Sequence, residues 1–121
     1  LYLLTHATAP FIKAESIQKG IDAVKSDNYD SAFAVIRQQD FLWQNGKPLN
    51  YDLSAIPRTQ DLVPIYRETC GFYLYTYWQI VEQNRRIGDK PYFVEVSEIE
   101  AVDIDEQEDF DLAEAIVNMK K

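Results

Sequence analysis

LYLLTHATAPFIKAESIQKGIDAVKSDNYDSAFAVI, residues 1–36, decides how this chain folds. Leu1 to Thr5 is a short apolar run closed by Pro10, which suits a fully covered strand of a parallel sheet. Ile17, Ile21 and Val24 then recur at the spacing of a helix face. The pattern predicts a helix over about residues 14–25, with Gly20 as its weak point. Ser26 to Asp30 reads as a polar turn, and Ala32 to Ile36 as a second core strand.

The same alternation continues downstream. Phe72 to Tyr75 predicts a third strand, Tyr77 to Arg86 a helix, Tyr92 to Val96 a strand and Phe110 to Met119 a last helix. Strands alternating with helices imply an α/β layer structure with right-handed crossovers. Between them, FLWQNGKPLNYD (41–52) sets Asn45-Gly46 among aromatic and apolar residues, a strong hairpin signal. Pro48 lacks the N–H a ladder needs, so the hairpin belongs at an edge or projects as an arm. Its side chains Phe41, Leu42, Trp43 and Leu49 either dock on a partner or fold back on their own core. Ser54 to Glu68 reads as irregular, and its length exceeds that of most connections inside compact domains.

At 121 residues and 46% hydrophobic, the chain fits a single domain, residues 1–121. One cysteine, Cys70, precludes an internal disulfide and suits a reducing compartment. With no apolar run of membrane-span length and no basic-then-apolar leader, the expected location is cytoplasmic, off the membrane. The net charge of −8 is local: Glu95 to Glu114 holds ten of the twenty acids and no base. Nucleic acid is a poor partner for such a chain, because phosphate backbones are bound by clustered Lys and Arg. The chain opens without methionine inside an apparent strand, from which missing N-terminal sequence is expected.

The acidic stretch AVDIDEQEDFDLAEA (101–115) carries two messages. Asp105 with Glu108 three residues on, followed by Phe110, Ala113, Ile116 and Val117, makes a capping box ahead of an amphipathic helix. Glu106, Glu108 and Asp109 suit the helix dipole. Asp103 precedes that cap. In an extended segment, residues two apart share a face, so Asp103 and Asp105 would present both carboxylates together. A hard cation relieves their repulsion, and magnesium is commonly held by one or two carboxylates plus substrate phosphates and waters.

Taken together and in order, HATAP (6–10), RTQDLVPIYRE (58–68), CGFYLY (70–75), IGDKPY (87–92) and the acidic stretch resemble the acylneuraminate cytidylyltransferases, the CMP-sialic acid synthetases. The resemblance runs from Leu1 to the C-terminus and implies the C-terminal part of a Rossmann-like three-layer nucleotidyltransferase fold. It also implies a projecting hairpin dimerisation arm, about residues 40–53, and a homodimer. The implied reaction joins the anomeric hydroxyl of a sialic acid or related nonulosonic acid to the α-phosphate of CTP, with Mg2+ as cofactor. The family's D-I-D motif matches Asp103 and Asp105, implied as catalytic metal ligands. His6 stands where the family has a Gln near the sugar. Arg58 is the nearest candidate for the Arg that grips the sugar carboxylate, although strict alignment puts Thr59 there. Gln60 matches directly, and Tyr73 falls where an aromatic lines the sugar pocket.

One part of the pattern is missing. The family's glycine-rich phosphate loop has no counterpart, since Gly20, Gly46, Gly71 and Gly88 are scattered. The expectation is an inactive chain cut from an active cytidylyltransferase. The alternatives are a non-catalytic dimerisation or interaction fragment, or a nucleotidyltransferase for another sugar acid.

Overall fold

The computed structural model describes residues 1–120. Contacts group the chain into two compact units, Leu1–Ile36 with Glu68 onward, and Arg37–Arg67.

In the first unit, β1 (Tyr2–Thr5), α1 (Ala14–Lys25) and β2 (Ser31–Gln38) follow the expected order. They are joined later by β5 (Ile65–Tyr75), β6 (Pro91–Glu95) and α2 (Gln107–Met119). The sheet runs β1-β5-β2-β6. It is mixed: β2 and β6 pair in parallel with Val35 opposite Glu95, whereas β1 pairs antiparallel with β5, Thr5 opposite Phe72. The chain is thus α/β, but the fully covered, parallel setting expected for Leu1 to Thr5 is overturned. β1 is an edge strand in which Tyr2, Leu3 and Thr5 are exposed and Leu4 is half-buried. An apolar run reports what a strand can bury, and its place in the sheet decides what it does bury.

Strand alternation sorts the core. Ala32 and Ala34 of β2 join Phe72, Leu74 and Val94 on the face where Ile17, Ile21 and Val24 of α1 pack. Phe33 and Val35 turn to the other face with Tyr73, Leu4 and Ile87. The alanines let α1 come close. Gly20 is buried there, and a Cβ on it would stand 2.6 Å from Leu74 Cδ1, so the expected weak point of the helix is a requirement of its packing.

Three further expectations are corrected. β5 begins at Ile65, well ahead of Phe72, because Tyr66, Arg67 and Glu68 lie on exposed strand positions that mask its apolar signature. The helix expected over Tyr77 to Arg86 is cut to a short turn, of which Gln79–Gln83 is wide and π-type. Asn84 ends it in the left-handed region at φ 53°. The capping box of α2 is shifted by one residue: Glu106 is the N-cap and Asp109 its reciprocal partner, so Asp105 is not the cap.

The second unit holds the hairpin, β3 (Trp43–Gln44) and β4 (Lys47–Pro48). Asn45 and Gly46 both have positive φ, 54° and 76°, as a type I′ turn demands. Asn50 secures its base, accepting from Leu42 N–H at 3.2 Å and donating to Asp40 O and Val63 O at 2.8 and 3.1 Å. Gln39 Nε2 likewise donates to Gln60 O and Leu62 O.

Candidate functional site

The loop after β1 and the acidic turn before α2 meet directly. Ile104 N–H donates to Thr8 O at 2.8 Å, which sets Asp103 and Asp105 beside the HATAP segment at the end of β1. Asp103 is half-buried, and its Oδ1 is buried without a hydrogen-bond partner. A buried carboxylate oxygen in that condition is costly unless something positive or protic reaches it. Asp105 is exposed, and the Asp103 carboxylate beside it holds its own carboxyl above the usual range. The two acids therefore share a face, with their charges in conflict.

The shift of the capping box leaves the Asp105 side chain to Asp103. Asp109 Oδ2 instead accepts from the N–H groups of Asp105 and Glu106 at 3.1 and 3.0 Å, which fixes the turn after the pair. Among the described residues, no group of three or more His, Cys, Asp or Glu side chains is arranged to hold a metal. Two carboxylates with one orphaned oxygen fit Mg2+ in the manner that leaves its remaining positions to phosphates and water. A largely apolar cleft of about 370 Å³, lined by Pro10, Phe11, Ile104, Phe110, Ala113 and Val117 with Glu114 as its charged member, lies alongside.

A second cluster centres on Tyr73, which is wholly buried. An aromatic lining a sugar pocket is expected there, but the ring itself offers no open face. Its hydroxyl donates to Glu68 at 2.5 Å, the Arg86 guanidinium lies over the ring 4.4 Å from its centre, and His6 stands edge-on at 6.3 Å. Burial and the Glu68 carboxylate push the phenol well above its ordinary value, so it remains a donor. His6 Nδ1 is 2.6 Å from Cys70 O. A carbonyl only accepts, so Nδ1 carries the proton and Nε2 of the neutral ring is left as an acceptor. Cys70 itself is an exposed free thiol.

Arg58 and Gln60 belong to the unit of residues 37–67. Arg58 is exposed and pairs with Asp61 three residues on, Nε to Oδ2 at 2.9 Å. Gln60 is exposed within the short 3-10 turn Thr59–Asp61. The structure thus brings Asp103, Asp105 and the HATAP loop together, and His6 with Tyr73.

Glu68, Arg86 and Glu100 escape a reading of the sequence. Glu68 and Arg86 sit in segments expected to be loop and helix, and nothing in their spacing ties them to Tyr73. Glu100 is hidden by the acidic run around it, yet it is buried at 5% exposure and accepts from Lys13 N–H at 2.9 Å.

Comparison with known proteins agrees with the motif resemblance. The chain is 28% identical over 116 residues to N-acylneuraminate cytidylyltransferase A of Danio rerio, a match covering 89% of this chain and 27% of that protein. It is 30% identical over 116 residues to N-acylneuraminate cytidylyltransferase of Oncorhynchus mykiss, covering 89% and 26%. The chain thus spans about a quarter of the length of these curated relatives. No family model matches it. Among the described residues, no helix is long and apolar enough to cross a membrane.

Proposed function

We propose that this chain, which is similar to N-acylneuraminate cytidylyltransferases, is part of an enzyme that activates a sialic acid or related nonulosonic acid with CTP. The anomeric oxygen of the sugar forms a bond to the α-phosphorus, the bond from that phosphorus to the bridging oxygen breaks, and pyrophosphate leaves with the electron pair. The anomeric hydroxyl gives up its proton to water. The observation that carries this reading is the orphaned Asp103 oxygen beside Asp105, at the end of β1.

Asp103 and Asp105 would hold Mg2+, which when bound neutralises triphosphate charge. The remaining work falls to the chain's own groups. Ile104 N–H on Thr8 O keeps the two acids beside the strand end. Nε2 of His6 accepts a hydrogen bond from a sugar hydroxyl. Arg58 grips the sugar carboxylate once it exchanges Asp61 for it, a swap that an exposed ion pair opposes by only about 1 kcal/mol or less. Gln60 hydrogen-bonds the sugar, and Tyr73 holds Glu68 and Arg86 in place beside His6.

Exposed apolar side chains on the hairpin, Trp43 at 55% and Leu49 at 48%, favour an arm that joins two copies, so the enzyme is a homodimer. The location is the cytoplasm. The activity test is pyrophosphate release from CTP, Mg2+ and N-acetylneuraminate. A polypeptide spanning the relatives' full length turns over and its Asp103→Asn variant does not, whereas the 121-residue chain alone is silent. A full-length Asp103→Asn variant with undiminished turnover sinks the assignment of the acids, and turnover by the short chain sinks the inactive-fragment reading.

A further inference from the structure

The acidic turn is tied to the loop after β1 at two places, and only one tie is made by a side chain. Ile104 N–H reaches Thr8 O. Glu100 Oε1 reaches Lys13 N–H, across 87 positions of sequence, and Glu100 is among the few buried charged residues. Lys13 is the N-cap of α1, and no side chain of α1 itself caps that end. Glu100 takes the part that an N3 carboxylate plays in a capping box, at the positive end of the helix dipole.

A local Ser, Thr or Asp would cap α1 with no buried charge. A buried carboxylate brought from far along the chain is a costlier cap, and what it adds is a link between elements. Between Ser97 and Val102 the backbone is folded tightly, with Ala101 N–H on Ser97 O at 3.0 Å and Val102 N–H on Ile99 O at 3.3 Å. Asp103 therefore leaves a turn whose anchor is Glu100 and arrives at Ile104, whose N–H is already held. The segment is clamped on both sides of the acid.

We propose that Glu100 is a positioning residue: by capping α1 it fixes the turn that stands Asp103 and Asp105 together at the end of β1. The ligand side of this inference rests on the metal reading above. A helix cap alone would protect the Lys13 amide, whereas a positioning role protects Ile104 as well and sets cation affinity.

The test uses the 121-residue chain, with amide exchange by NMR and Mn2+ as a paramagnetic probe. Mn2+ broadens the Ile104 and Thr8 amides of the wild type, and Asp103→Asn removes that effect. Glu100→Ala is expected to speed exchange at Lys13 and at Ile104, and to raise the Mn2+ concentration for half-broadening about 10-fold. Glu100→Gln keeps an acceptor oxygen and restores most of both. Should Glu100→Ala fail to fold, Glu100→Asp, one methylene shorter, must loosen Ile104 in the same direction. Unchanged exchange at Ile104 with unchanged Mn2+ response in the Ala variant overturns the inference and leaves the proposed function standing. A wild type on which Mn2+ acts no more strongly than on Asp103→Asn overturns the metal reading, and the role of Glu100 toward a cation with it.

Discussion

Replacing Gly20 by alanine sets two effects of opposite sign against each other. In an isolated helix the change favours folding by about 1 kcal/mol, because glycine is the more disordered residue in the unfolded chain. Here the new methyl group would lie 2.6 Å from Leu74 Cδ1 and 3.3 Å from Ala32 Cβ, with Val94 Cγ2 at 3.5 Å. Ordinary carbon contact needs about 3.5–4.0 Å, so Leu74 must yield by roughly 1 Å. Leu74 is 1% exposed in the core between β5 and α1 and has no solvent to swing into. Overpacking of this kind costs about 1–3 kcal/mol. The expected net effect is a loss of ~1 kcal/mol, with a fall in Tm of about 5 °C. Urea unfolding followed by circular dichroism reads it as a lower midpoint at unchanged slope. Leu74→Ala alone should cost about 2–5 kcal/mol. Because the two changes relieve each other, the double variant should lose less than the sum by about 1 kcal/mol or more. A Gly20→Ala protein more stable than the wild type, or strict additivity with Leu74→Ala, would refute the close approach of α1 to the sheet.

Two further outcomes follow from the same geometry. The Asp105 carboxyl is held above its ordinary value chiefly by Asp103, so its contribution to stability is present in acid and is lost as pH rises through its titration. Asp103→Asn removes that repulsion. The variant should gain on the wild type as pH climbs through the range where Asp105 ionises, read from urea midpoints at a series of pH values, and a gap independent of pH contradicts the pairing. In the other unit, Gly46 has φ 76° and a Cβ added to it would meet nothing within 4 Å, so Gly46→Ala meets backbone strain and no clash. It should cost about 1 kcal/mol, seen as faster exchange of the Leu49 amide that closes the hairpin, with Gly46→Asn costing less.

Much of the secondary structure was legible locally, because its causes are local. Ile17, Ile21 and Val24 mark α1 within a residue of its ends, and Asn45-Gly46 marks the turn by a backbone conformation few other residues adopt. The polar stretch ahead of Phe72 hid the first half of β5, since a strand with one solvated face loses its apolar signature. Asn84 stopped a helix that periodicity alone would continue. At the site, the spacing of Asp103 and Asp105 foretold that their charges would conflict. The Arg58 pairing with Asp61 and the gathering of Glu68, Arg86 and His6 around Tyr73 depend on which segments meet, and no spacing records that.

By itself the sequence determined α1, the hairpin turn and the spacing of Asp103 and Asp105, all set within a few residues. Tertiary structure alone decided that β1 is an edge strand antiparallel to β5, that Tyr73 is buried, and that Glu100 leaves the acidic run to cap α1. The physical reason is that burial and hydrogen-bond satisfaction are properties of neighbours in space. An acid among acids looks solvated in sequence until a distant N–H without a partner claims it.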